Sequence, residues 1–486
     1  MSGDALTAER LTPRLQARLG PHVRCTAVAR GPVGNGQETW FVDVADDDDV
    51  RQLVLRRSAP GGPLEWTARG REFAVMRALA GRGLPLPAVL WCDESDDLDR
   101  PYLVMERAPG TPAMALRGDD AAAAAADLGR LLARLHRLDP HELDLDLPLP
   151  PDATVATRTA VASWRRRYHE ERVAPVPVLG ALLAWLEANV PADPTPVRLL
   201  WGDAGRHNAL AADGRVTALL DWELAAVGHP LEDLAVAVWM EQDSGLDPAV
   251  IVDAYAAEAG AAVDRDALAY FLVLAAATRS AMVVAGVRSF VAGRTSAPSA
   301  AALGLDLVAV SLLRAAADAG WPLPDDATPA AAEPLAAATA TPERDARAAP
   351  SQLRPTPAEA DEGVAAFLLD EVLPLVDDRR VRRQLKTAAA LLRTSALRSR
   401  AEDAALARDA QATAALLDDL GRAGVDVSGG LEAVAERVES DPALAAWRPR
   451  TRAVLLAGLR DQAALLAPLA ALYRRGPVTP GPARGR

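Results

Sequence analysis

The chain has 486 residues, of which 50% are hydrophobic, and its formal net charge is −13 at pH 7. This length predicts about three domains on a prior of ~150 residues each, and the acidic balance argues against general nucleic-acid binding and polybasic membrane attachment. The two cysteines, Cys25 and Cys92, lack ligand-like spacing, which excludes a disulfide framework or a cysteine-based zinc site and is typical of a reducing compartment.

The first 20 residues are charged throughout and contain no apolar run, so we expect no signal peptide and a cytoplasmic location. Residues 22–106 then predict a small antiparallel sheet with one helix. Five β-rich runs predict strands, and a segment with apolar residues at i, i+3 and i+6 predicts a helix after the third. The strands are predicted at 23–28, 39–44, 52–56, 88–92 and 102–106, and the helix at 67–80.

A glycine-containing loop, residues 31–38, separates the first two predicted strands. Such a loop is typical of an ordinary hairpin connection. It also suits phosphate binding, because glycines without side chains let backbone N–H groups approach an anion. Both interpretations stay open from the loop alone.

Residues 111–321 predict mostly helices. The run Trp164-Arg165-Arg166-Arg167-Tyr168 lies in one of them; a charge run there is usually a solvated face, and the alternative is binding of an anionic acceptor such as a CoA phosphate. The most apolar helix, 268–287, is interrupted by Arg279, so we expect it to be buried rather than membrane-spanning.

Three polar residues follow two apolar strands in the middle of this region. Asp203 and Asn208 stand after the predicted strand 197–200, and a second strand, 216–220, leads into Asp221. The intervening Asp213-Gly214 predicts a hairpin. An isolated Asp-x-x-x-x-Asn also arises by chance in turns. Phosphoryl transfer, however, needs one carboxylate for the acceptor hydroxyl, and an amide and a second carboxylate for Mg²⁺, which this arrangement supplies.

The stretch from Leu199 to Glu223 resembles the catalytic and metal-binding segment of the aminoglycoside phosphotransferase and choline kinase superfamily. Residues 228–235, Gly-His-Pro-Leu-Glu-Asp-Leu-Ala, are similar to the family's Gly-Asp-Pro-x-x-Asp-Leu-Ala. Val54-Leu55-Arg56, with Ala59-Pro60-Gly61 after it, resembles the subgroup associated with acyl-CoA dehydrogenases. The resemblance implies an α+β, bilobal protein-kinase-like fold, with a small antiparallel-sheet lobe and a larger, mainly helical lobe, followed by an all-α C-terminal domain.

The resemblance also implies roles for individual residues. Asp203 is the base or orienting group, and Asn208 and Asp221 bind Mg²⁺. Arg56 occupies the place of the phosphate-binding lysine on strand three, and Glu72 that of its helix partner. The other residues implied to contact the co-substrate, ATP or GTP, are Gly34, Asn35, Gly36, Gln37, Met105 and Glu106.

The only lysine of the chain is Lys386. An arginine must therefore take the place of the phosphate-binding lysine on strand three. Arginine is bidentate and permanently charged, so it can bind phosphate and carboxylate with a different geometry. Arg57, one residue on and on the other strand face, is an alternative occupant of this place. Another explanation of Arg56 is a solvated charge at a strand edge.

The sequence departs from the family pattern at several positions. Trp201 replaces a histidine that supports the catalytic loop, and we expect it to pack in place while losing a hydrogen bond. Ala204 and Gly205 replace a bulky and basic pair, and His229 replaces an aspartate. Asp233 keeps its family-like role of holding the backbone of the catalytic loop.

The C-terminal part predicts a separate helical region, in which apolar stripes predict helices that include 381–397 and 404–420. A Pro-, Ala- and Thr-rich linker precedes it, and a Pro-, Gly- and Arg-rich tail, expected to be disordered, follows it. It resembles a small helical domain often appended to this kinase subgroup; it carries no catalytic cluster, so we expect an accessory role with a second copy or an acyl-CoA dehydrogenase as partner. The predicted divisions are 1–107 (small nucleotide-binding lobe), 108–321 (large catalytic lobe), 322–357 (linker), 358–475 (helical domain) and 476–486 (tail).

The leading hypothesis is therefore a small-molecule phosphotransferase that uses a Mg-nucleotide and a hydroxyl acceptor, for which the subgroup resemblance indicates a hydroxyacyl-CoA. An aminoglycoside- or choline-type kinase is the alternative within the same class. A pseudokinase scaffold, in which Trp201 and the missing lysine mark lost catalysis, is the alternative of another class.

Overall fold

The computed structural model describes residues 6–31, 37–46, 49–58, 67–95, 98–242, 244–295, 297–323, 356–466 and 468–469. Its contacts divide the chain into two compact units. The first unit comprises residues 1–159 and 191–272, and the second comprises residues 160–190 and 273–486. The predicted tail and all but the first two and last two residues of the predicted linker lie outside the described residues.

The first unit contains a five-stranded antiparallel sheet in the order β1-β2-β3-β5-β4. Its strands are β1 (Arg24–Arg30), β2 (Gln37–Asp46), β3 (Asp49–Ser58), β4 (Val89–Asp93) and β5 (Tyr102–Glu106), and α2 (Arg69–Leu79) follows β3. Along β2, Trp40, Val42 and Val44 point into the core at the period of two that a half-buried strand requires. Five strands with one helix after the third match the predicted order.

A helix before the sheet, α1 (Ala8–Leu19), is absent from the sequence-based prediction. Its apolar residues Leu11 and Leu15 belong to the core beneath the sheet. The oxygen of Thr7 caps its first turn by accepting a hydrogen bond from the N–H of Arg10. Pro13 lies inside the helix. Because an internal proline usually signals the end of a helix, the sequence of this segment did not indicate one.

The rest of the first unit contains short strands and helices. The strands are β6 (Thr111–Pro112), β7 (Arg198–Leu200), β8 (Ala209–Ala212), β9 (Arg215–Leu219) and β10 (Ala226–Gly228), and the helices are α3 (Gly118–Leu135), α4 (Ala153–Glu171), α6 (Leu231–Glu241), α7 (Ala249–Ala259) and α8 (Arg265–Val291). Of these, α4 and α8 continue into the second unit.

The hairpin at Asp213-Gly214 is present, and both residues have positive φ, 50° and 70°, as a tight β-hairpin turn requires. It joins β8 to β9, whereas β7 pairs with β10. The sequence-based prediction contained β7 and β9 but not β8, because residues 209–212 are Ala-Leu-Ala-Ala and carry no β-branched signal. The loop that carries Asp203 and Asn208 therefore runs from β7 into β8.

The second unit is helical. It contains α5 (Pro177–Ala188), α9 (Pro298–Asp318), α10 (Pro357–Phe367), α11 (Arg379–Arg422), α12 (Gly430–Ser440) and α13 (Arg448–Ala464). α12 and α13 pack on α5, and α11 and α13 pack on α9. The C-terminal helices thus share one compact unit with α5 and α9, which lie within the predicted 108–321 division, so the predicted divisions do not coincide with the compact units.

α11 is one continuous helix of 44 residues, whereas the sequence pattern predicted two helices, at 381–397 and 404–420. That division is wrong. The six residues between the predicted helices, Arg-Ser-Arg-Ala-Glu-Asp, contain neither glycine nor proline, so nothing in them breaks a helix. The side chain of Asp378 caps the first turn by accepting from the N–H groups of Arg380 and Val381.

Among the described helices, α8 and α9 are long and apolar enough to cross a membrane by length and composition alone. The most apolar window of α8 is 78% buried in the structure, and that of α9 is 56% buried. Core helices of soluble proteins pass the same test, so the finding is weak evidence for a span. The burial of α8 agrees with the expectation for residues 268–287.

Candidate active site

Arg56, on β3, joins two carboxylates. Its Nη1 donates to Oε1 of Glu72, on α2, and its Nη2 donates to Oδ1 of Asp221 at 2.7 Å. Arg56 is 8% exposed and Glu72 is 0% exposed. Burial alone lowers the pKa of Arg56, but the negative charges of Asp221 and Glu72 outweigh it and raise that pKa above its ordinary value. The structure thus brings three predicted site residues together.

The alternative occupant, Arg57, lies on the other face of β3 and has other partners. It donates to Oε2 of Glu38 from both Nε and Nη2, at 3.0 and 2.6 Å, and to the carbonyl of Leu98 at 3.0 Å. Arg56, not Arg57, contacts the helix carboxylate, and its burial shows that it is not a solvated strand-edge charge.

Two further buried residues, Arg69 and Glu223, belong to the same ion-pair network. Arg69 donates to Oε2 of Glu72 and, at 2.5 Å, to Oε2 of Glu223. Sequence reasoning did not include either residue among the site residues. The available signals were the i, i+3 spacing of Arg69 and Glu72 and the position of Glu223 two residues after Asp221.

Glu223 has a perturbed acidity. Burial and the neighbouring charge of Asp221 raise the pKa of Glu223 to about 7, against the opposing influence of Arg56 and Arg69. Three carboxylates (Glu72, Asp221 and Glu223) therefore share two arginines, Arg56 and Arg69.

The predicted catalytic loop holds Asp203 and Asn208 against each other. Nδ2 of Asn208 donates to Oδ2 of Asp203 at 2.8 Å and to its carbonyl at 3.1 Å. A ring nitrogen of His207 lies 3.2 Å from the same carboxylate oxygen. The side chain of Asp203 is 24% exposed, so it is oriented by its neighbours and still reachable by a substrate.

Asp233, at the start of α6, holds the backbone at the beginning of this loop. Its carboxylate accepts hydrogen bonds from the backbone N–H groups of Trp201, at 2.6 Å, and Gly202, at 2.7 Å. His136 lies 3.3 Å from the same carboxylate and 3.0 Å from the hydroxyl of Tyr255. The contacts are those expected for the structural role of Asp233, and His136 is a packed, satisfied histidine.

Trp201 differs from the expectation that it would lose the hydrogen bond made by a histidine. Its Nε1 donates to the carbonyl of Leu220 at 2.8 Å, and its ring stacks on Trp222 with centroids 5.6 Å apart. Both indoles are 0% exposed. Next to them, a Cβ on Gly202 would lie 2.1 Å from the carbonyl of Leu224, so the two chain segments approach as closely as only glycine permits.

His229, which replaces the family's aspartate, supports another loop. One ring nitrogen lies 2.9 Å from Oδ2 of Asp193, and the other accepts from the N–H of Leu231 at 3.0 Å. Burial lowers the pKa of His229 despite the nearby carboxylate, so the imidazole is neutral at neutral pH.

Asp221 follows β9 in a left-handed conformation, with φ of 64°. The N–H of Leu220 donates to the carbonyl of Asn208 at 2.8 Å, which places Asn208 and Asp221 at neighbouring strand ends. The amide oxygen of Asn208 and the carboxylate of Asp221, which is 29% exposed, are hard oxygen donors of the kind that Mg²⁺ prefers. These two residues fit the metal that the family resemblance implies.

The remaining predicted nucleotide contacts have different outcomes. Gly34, Asn35 and Gly36 lie outside the described residues. Gln37 is buried and donates from Nε2 to Glu223 at 2.7 Å. Met105 is buried in β5, and the N–H of Glu106 donates to the carbonyl of Ala88 at 2.9 Å. Because that backbone donor is already used by the sheet, it is not open for a nucleotide base in this structure.

A second buried ion-pair network lies in the second unit, between α4 and α12. Arg165 donates to Glu436 at 2.6 Å and also to Glu187, and Glu432 accepts from Arg172 and from the hydroxyl of Tyr168. The structure contradicts the interpretation of the 164–168 run as an anion site at Arg165, because its guanidinium already has two carboxylate partners.

The same network contains a histidine and two glutamates whose ligand atoms lie within 4.8 Å of one another: His169, Glu432 and Glu436. Such a group could hold a metal ion by distance alone. Arg165 and Arg172 neutralise both carboxylates, however, and their charges oppose a divalent cation. We interpret the group as an ion-pair network.

The comparisons place these features among known proteins. A protein described as acyl-CoA dehydrogenase family member 11, of Rattus norvegicus, is 34% identical over 211 residues, which are 42% of this chain and 26% of that protein. The chain spans about a quarter of the length of the curated relatives it matches.

Solved structures with a similar arrangement include macrolide 2′-phosphotransferase MphH of Brachybacterium faecium, at 22% identity and a TM-score of 0.41, covering 60% of this chain and 96% of that one. A thermostable aminoglycoside phosphotransferase in complex with AMP-PNP and hygromycin B has 17% identity and a TM-score of 0.47, covering 63% and 97%. The sequence model described as the phosphotransferase enzyme family matches residues 29–271, half of the chain. The five-stranded antiparallel sheet and the predominance of helices in the rest of the described chain confirm the predicted α+β fold class, and the chain belongs to the phosphotransferase enzyme family.

Proposed function

We propose that this chain is a small-molecule kinase that moves the γ-phosphate of a Mg-nucleotide to a hydroxyl group of a metabolite. The observation that carries the proposal is the hydrogen bond between the N–H of Leu220 and the carbonyl of Asn208, at 2.8 Å. It joins the loop of Asp203 and Asn208 to the segment of Asp221, which supports a single site for these three oxygen-bearing side chains. Membership of the phosphotransferase family supports the same reaction class.

Each residue has a role that its contacts suit. Asp203, fixed by the amide of Asn208, would orient the acceptor hydroxyl and take its proton. Asn208 and Asp221 would hold Mg²⁺, which supplies positive charge to the phosphate oxygens when bound. Arg56, fixed by Glu72, would contact the phosphates, since a guanidinium binds them through two parallel hydrogen bonds. Glu72 would keep that guanidinium in place without touching the nucleotide.

For the acceptor we propose a hydroxyacyl-CoA. The sequence relatives are described as acyl-CoA dehydrogenase family members, and the Val-Leu-Arg stretch at Arg56 resembles the same subgroup. These names make acyl-CoA metabolites the first acceptors to test. An acceptor screen tests this element of the proposal separately from the kinase activity.

The packing of Trp201 argues against the pseudokinase alternative. Trp201 was its main support in the sequence, but the indole is buried and hydrogen-bonded to Leu220. Arg56 likewise makes the carboxylate contact expected of the missing lysine. Neither substitution removes an oxygen that the reaction needs.

Calorimetry with ATP and with GTP, each with and without Mg²⁺, tests the nucleotide and metal sites. We expect Mg²⁺ to strengthen binding to the unaltered chain and Asp221→Asn to abolish that gain. Asp99→Asn is the matched control, because Asp99 also has a left-handed backbone, φ 69°, and an arginine partner, Arg10. Absence of nucleotide binding under every condition would overturn the kinase assignment.

Turnover then identifies the acceptor class. Formation of nucleoside diphosphate is followed with Mg²⁺ and hydroxyacyl-CoAs, aminoglycosides or choline as acceptors. Phosphate transfer to a hydroxyacyl-CoA supports the full proposal. Transfer only to an aminoglycoside or to choline would retain the kinase and replace the acceptor, and Mg-nucleotide binding without any transfer would favour a scaffold.

A further inference from the structure

Arg69 is a buried cation with two carboxylate partners. It is 1% exposed, and it donates to Oε2 of Glu72 and, at 2.5 Å, to Oε2 of Glu223. Glu72 uses its other oxygen for Arg56. Because each oxygen of Glu72 faces a different arginine, its carboxylate can take one orientation only, and that orientation fixes the guanidinium of Arg56.

Glu223 links three chain segments. Besides Arg69, its Oε2 accepts from Nε2 of Gln37, the first residue of β2, at 2.7 Å, and from the hydroxyl of Thr67, before α2, at 3.1 Å. Gln37 directly follows the predicted phosphate-binding residues 34–36. One carboxylate thus ties the start of β2 and the start of α2 to the segment that carries Asp221.

That segment needs to be held. A left-handed backbone at a residue other than glycine costs roughly 1–3 kcal/mol and persists where its surroundings hold it. Asp221 has φ of 64°. On its N-terminal side, Leu220 is fixed through its N–H and its carbonyl. On its C-terminal side, the contacts of Glu223 with Arg69, Thr67 and Gln37 supply the second anchor.

The ion pair between Arg69 and Glu223 is not the arrangement that stability alone would select. Nε of Arg69 is buried without a hydrogen-bond partner among the described residues, and a buried unsatisfied donor destabilises a fold by about 1–3 kcal/mol. The guanidinium keeps this unfavourable position while serving both carboxylates, which indicates that the geometry of Glu72 and Glu223 is what its placement secures.

We infer that Arg69 and Glu223 are positioning residues, forming a bridge that holds Arg56 toward the phosphates and Asp221 toward the metal; the inference rests on the proposed kinase function. Neither residue needs to touch the nucleotide. The bridge connects the phosphate-binding and metal-binding halves of the site, so loss of either end is expected to weaken metal-dependent nucleotide binding rather than nucleotide binding in general.

The test compares Arg69→Met with Arg57→Met, since Arg57 is an equally buried arginine that pairs with a glutamate, Glu38, on the opposite face of the sheet. Affinity for ATP is measured by calorimetry at a series of Mg²⁺ concentrations. Loss of a residue that orients metal ligands typically weakens metal affinity or activity ~10–100-fold. We expect that loss in the Mg²⁺-dependent part of ATP affinity for Arg69→Met, and no such loss for Arg57→Met.

Glu223→Gln, which keeps the shape of the side chain, guards against a folding defect. We expect it to weaken Mg²⁺-dependent binding by a similar factor, and the double variant with Arg69→Met to be no weaker than either single variant, because both remove one bridge. Arg69→Lys is expected to restore part of the affinity through Glu72.

The outcomes separate the two proposals. An unaltered chain without Mg²⁺-dependent ATP binding would overturn the proposed function together with the bridge. A chain that binds Mg-ATP normally, with Arg69→Met and Glu223→Gln behaving like Arg57→Met, would overturn the bridge and leave the kinase function intact.

Discussion

The two buried ion-pair networks are built from the same residue types, arginines and carboxylates, but we assign them different roles. In the first unit, Glu72, Asp221 and Glu223 share Arg56 and Arg69. In the second unit, Glu432 and Glu436 are matched by Arg165 and Arg172, with Tyr168 and His169 beside them.

The difference lies in access and in the neighbouring groups, not in charge balance. Both networks contain three carboxylates and two arginines, since Glu187 also takes part in the second. In the first, Asp221 is 29% exposed and stands at a strand end next to that of Asn208, a second oxygen donor. In the second, the side chains of Glu432 and Glu436 are 7% and 11% exposed. A carboxylate that solvent can reach, with an amide oxygen nearby, is able to recruit a cation, whereas carboxylates buried between helices are suited to joining them. Residue type alone would not have separated the two networks.

The largest expected effect separates a reactive carboxylate from a structural one. Asp203→Asn removes the proposed base, and loss of a positioned base lowers turnover ~10²- to 10⁴-fold. Glu436→Gln in the second network is expected to leave turnover unchanged. Steady-state measurement of nucleoside diphosphate formation checks both, and equal losses in the two variants would contradict the division of roles.

A smaller effect, on stability, is expected from the second network. Glu432→Ala leaves Arg172 and the hydroxyl of Tyr168 without their carboxylate, and unpaired buried groups destabilise by about 3 kcal/mol in sum. Urea unfolding followed by circular dichroism measures the change. Replacing both ends of the pair, Glu432→Leu with Arg172→Met, is expected to be less harmful, because it leaves no unpaired charge; a double variant worse than Glu432→Ala would count against this explanation.

Gly180 tests how closely α5 and α12 pack. A Cβ there would lie 2.7 Å from Oε1 of Glu436 and 3.0 Å from Cγ of Glu432, and the arginine contacts of these glutamates restrict their retreat. Gly180→Ala is therefore expected to destabilise by about 1 kcal/mol, although alanine is the better helix former. Gly363→Ala, in α10 with no atom within 4 Å of the new methyl group, is the control and is expected to stabilise by roughly 0.5–1 kcal/mol. Thermal unfolding of both variants measures these two changes in stability, and a stabilised Gly180→Ala variant would contradict the close packing of α5 and α12.

The smallest expected effect is the contribution of His169, in the second network, to the pH dependence of stability. Burial lowers the pKa of His169 below 6.5, as do Arg165 and Arg172, while Glu436 opposes them. The folded state then takes up its proton at lower pH than the unfolded state, so stability falls as the pH drops below about 6.5 and the loss is complete below the folded pKa. Unfolding midpoints between pH 8 and pH 5 measure the slope, and a slope unchanged in His169→Gln would exclude this histidine as its source.

Much of the site could be predicted because its signals are local. Asp203, Asn208 and Asp221 stand at fixed short spacings after apolar strands, and the pairing of Arg56 with Glu72 follows from a strand followed by a helix. The roles assigned to these residues remain predictions, whereas the family and the fold class are shown.

The rest depends on contacts between residues far apart in the chain. Arg69 and Glu223 are 154 residues apart in the sequence, and no pattern in either segment predicts that they are in contact. The hydrogen bond of Trp201 to Leu220 depends on how two loops meet. The C-terminal helices were predicted as a separate domain because a low-complexity linker precedes them, but their packing on α5 and α9 is a tertiary property that composition does not contain.

The stacked indoles of Trp201 and Trp222 give the catalytic segments a spectroscopic signature. Each ring sits beside a predicted catalytic carboxylate, two residues before Asp203 in one case and one residue after Asp221 in the other. Because the two rings are tilted by 27° with centroids 5.6 Å apart, we expect their electronic transitions to couple and to contribute an exciton signal to the circular dichroism spectrum. A change in that signal on addition of nucleotide would report a change in the relative position of the two segments in the unlabelled protein.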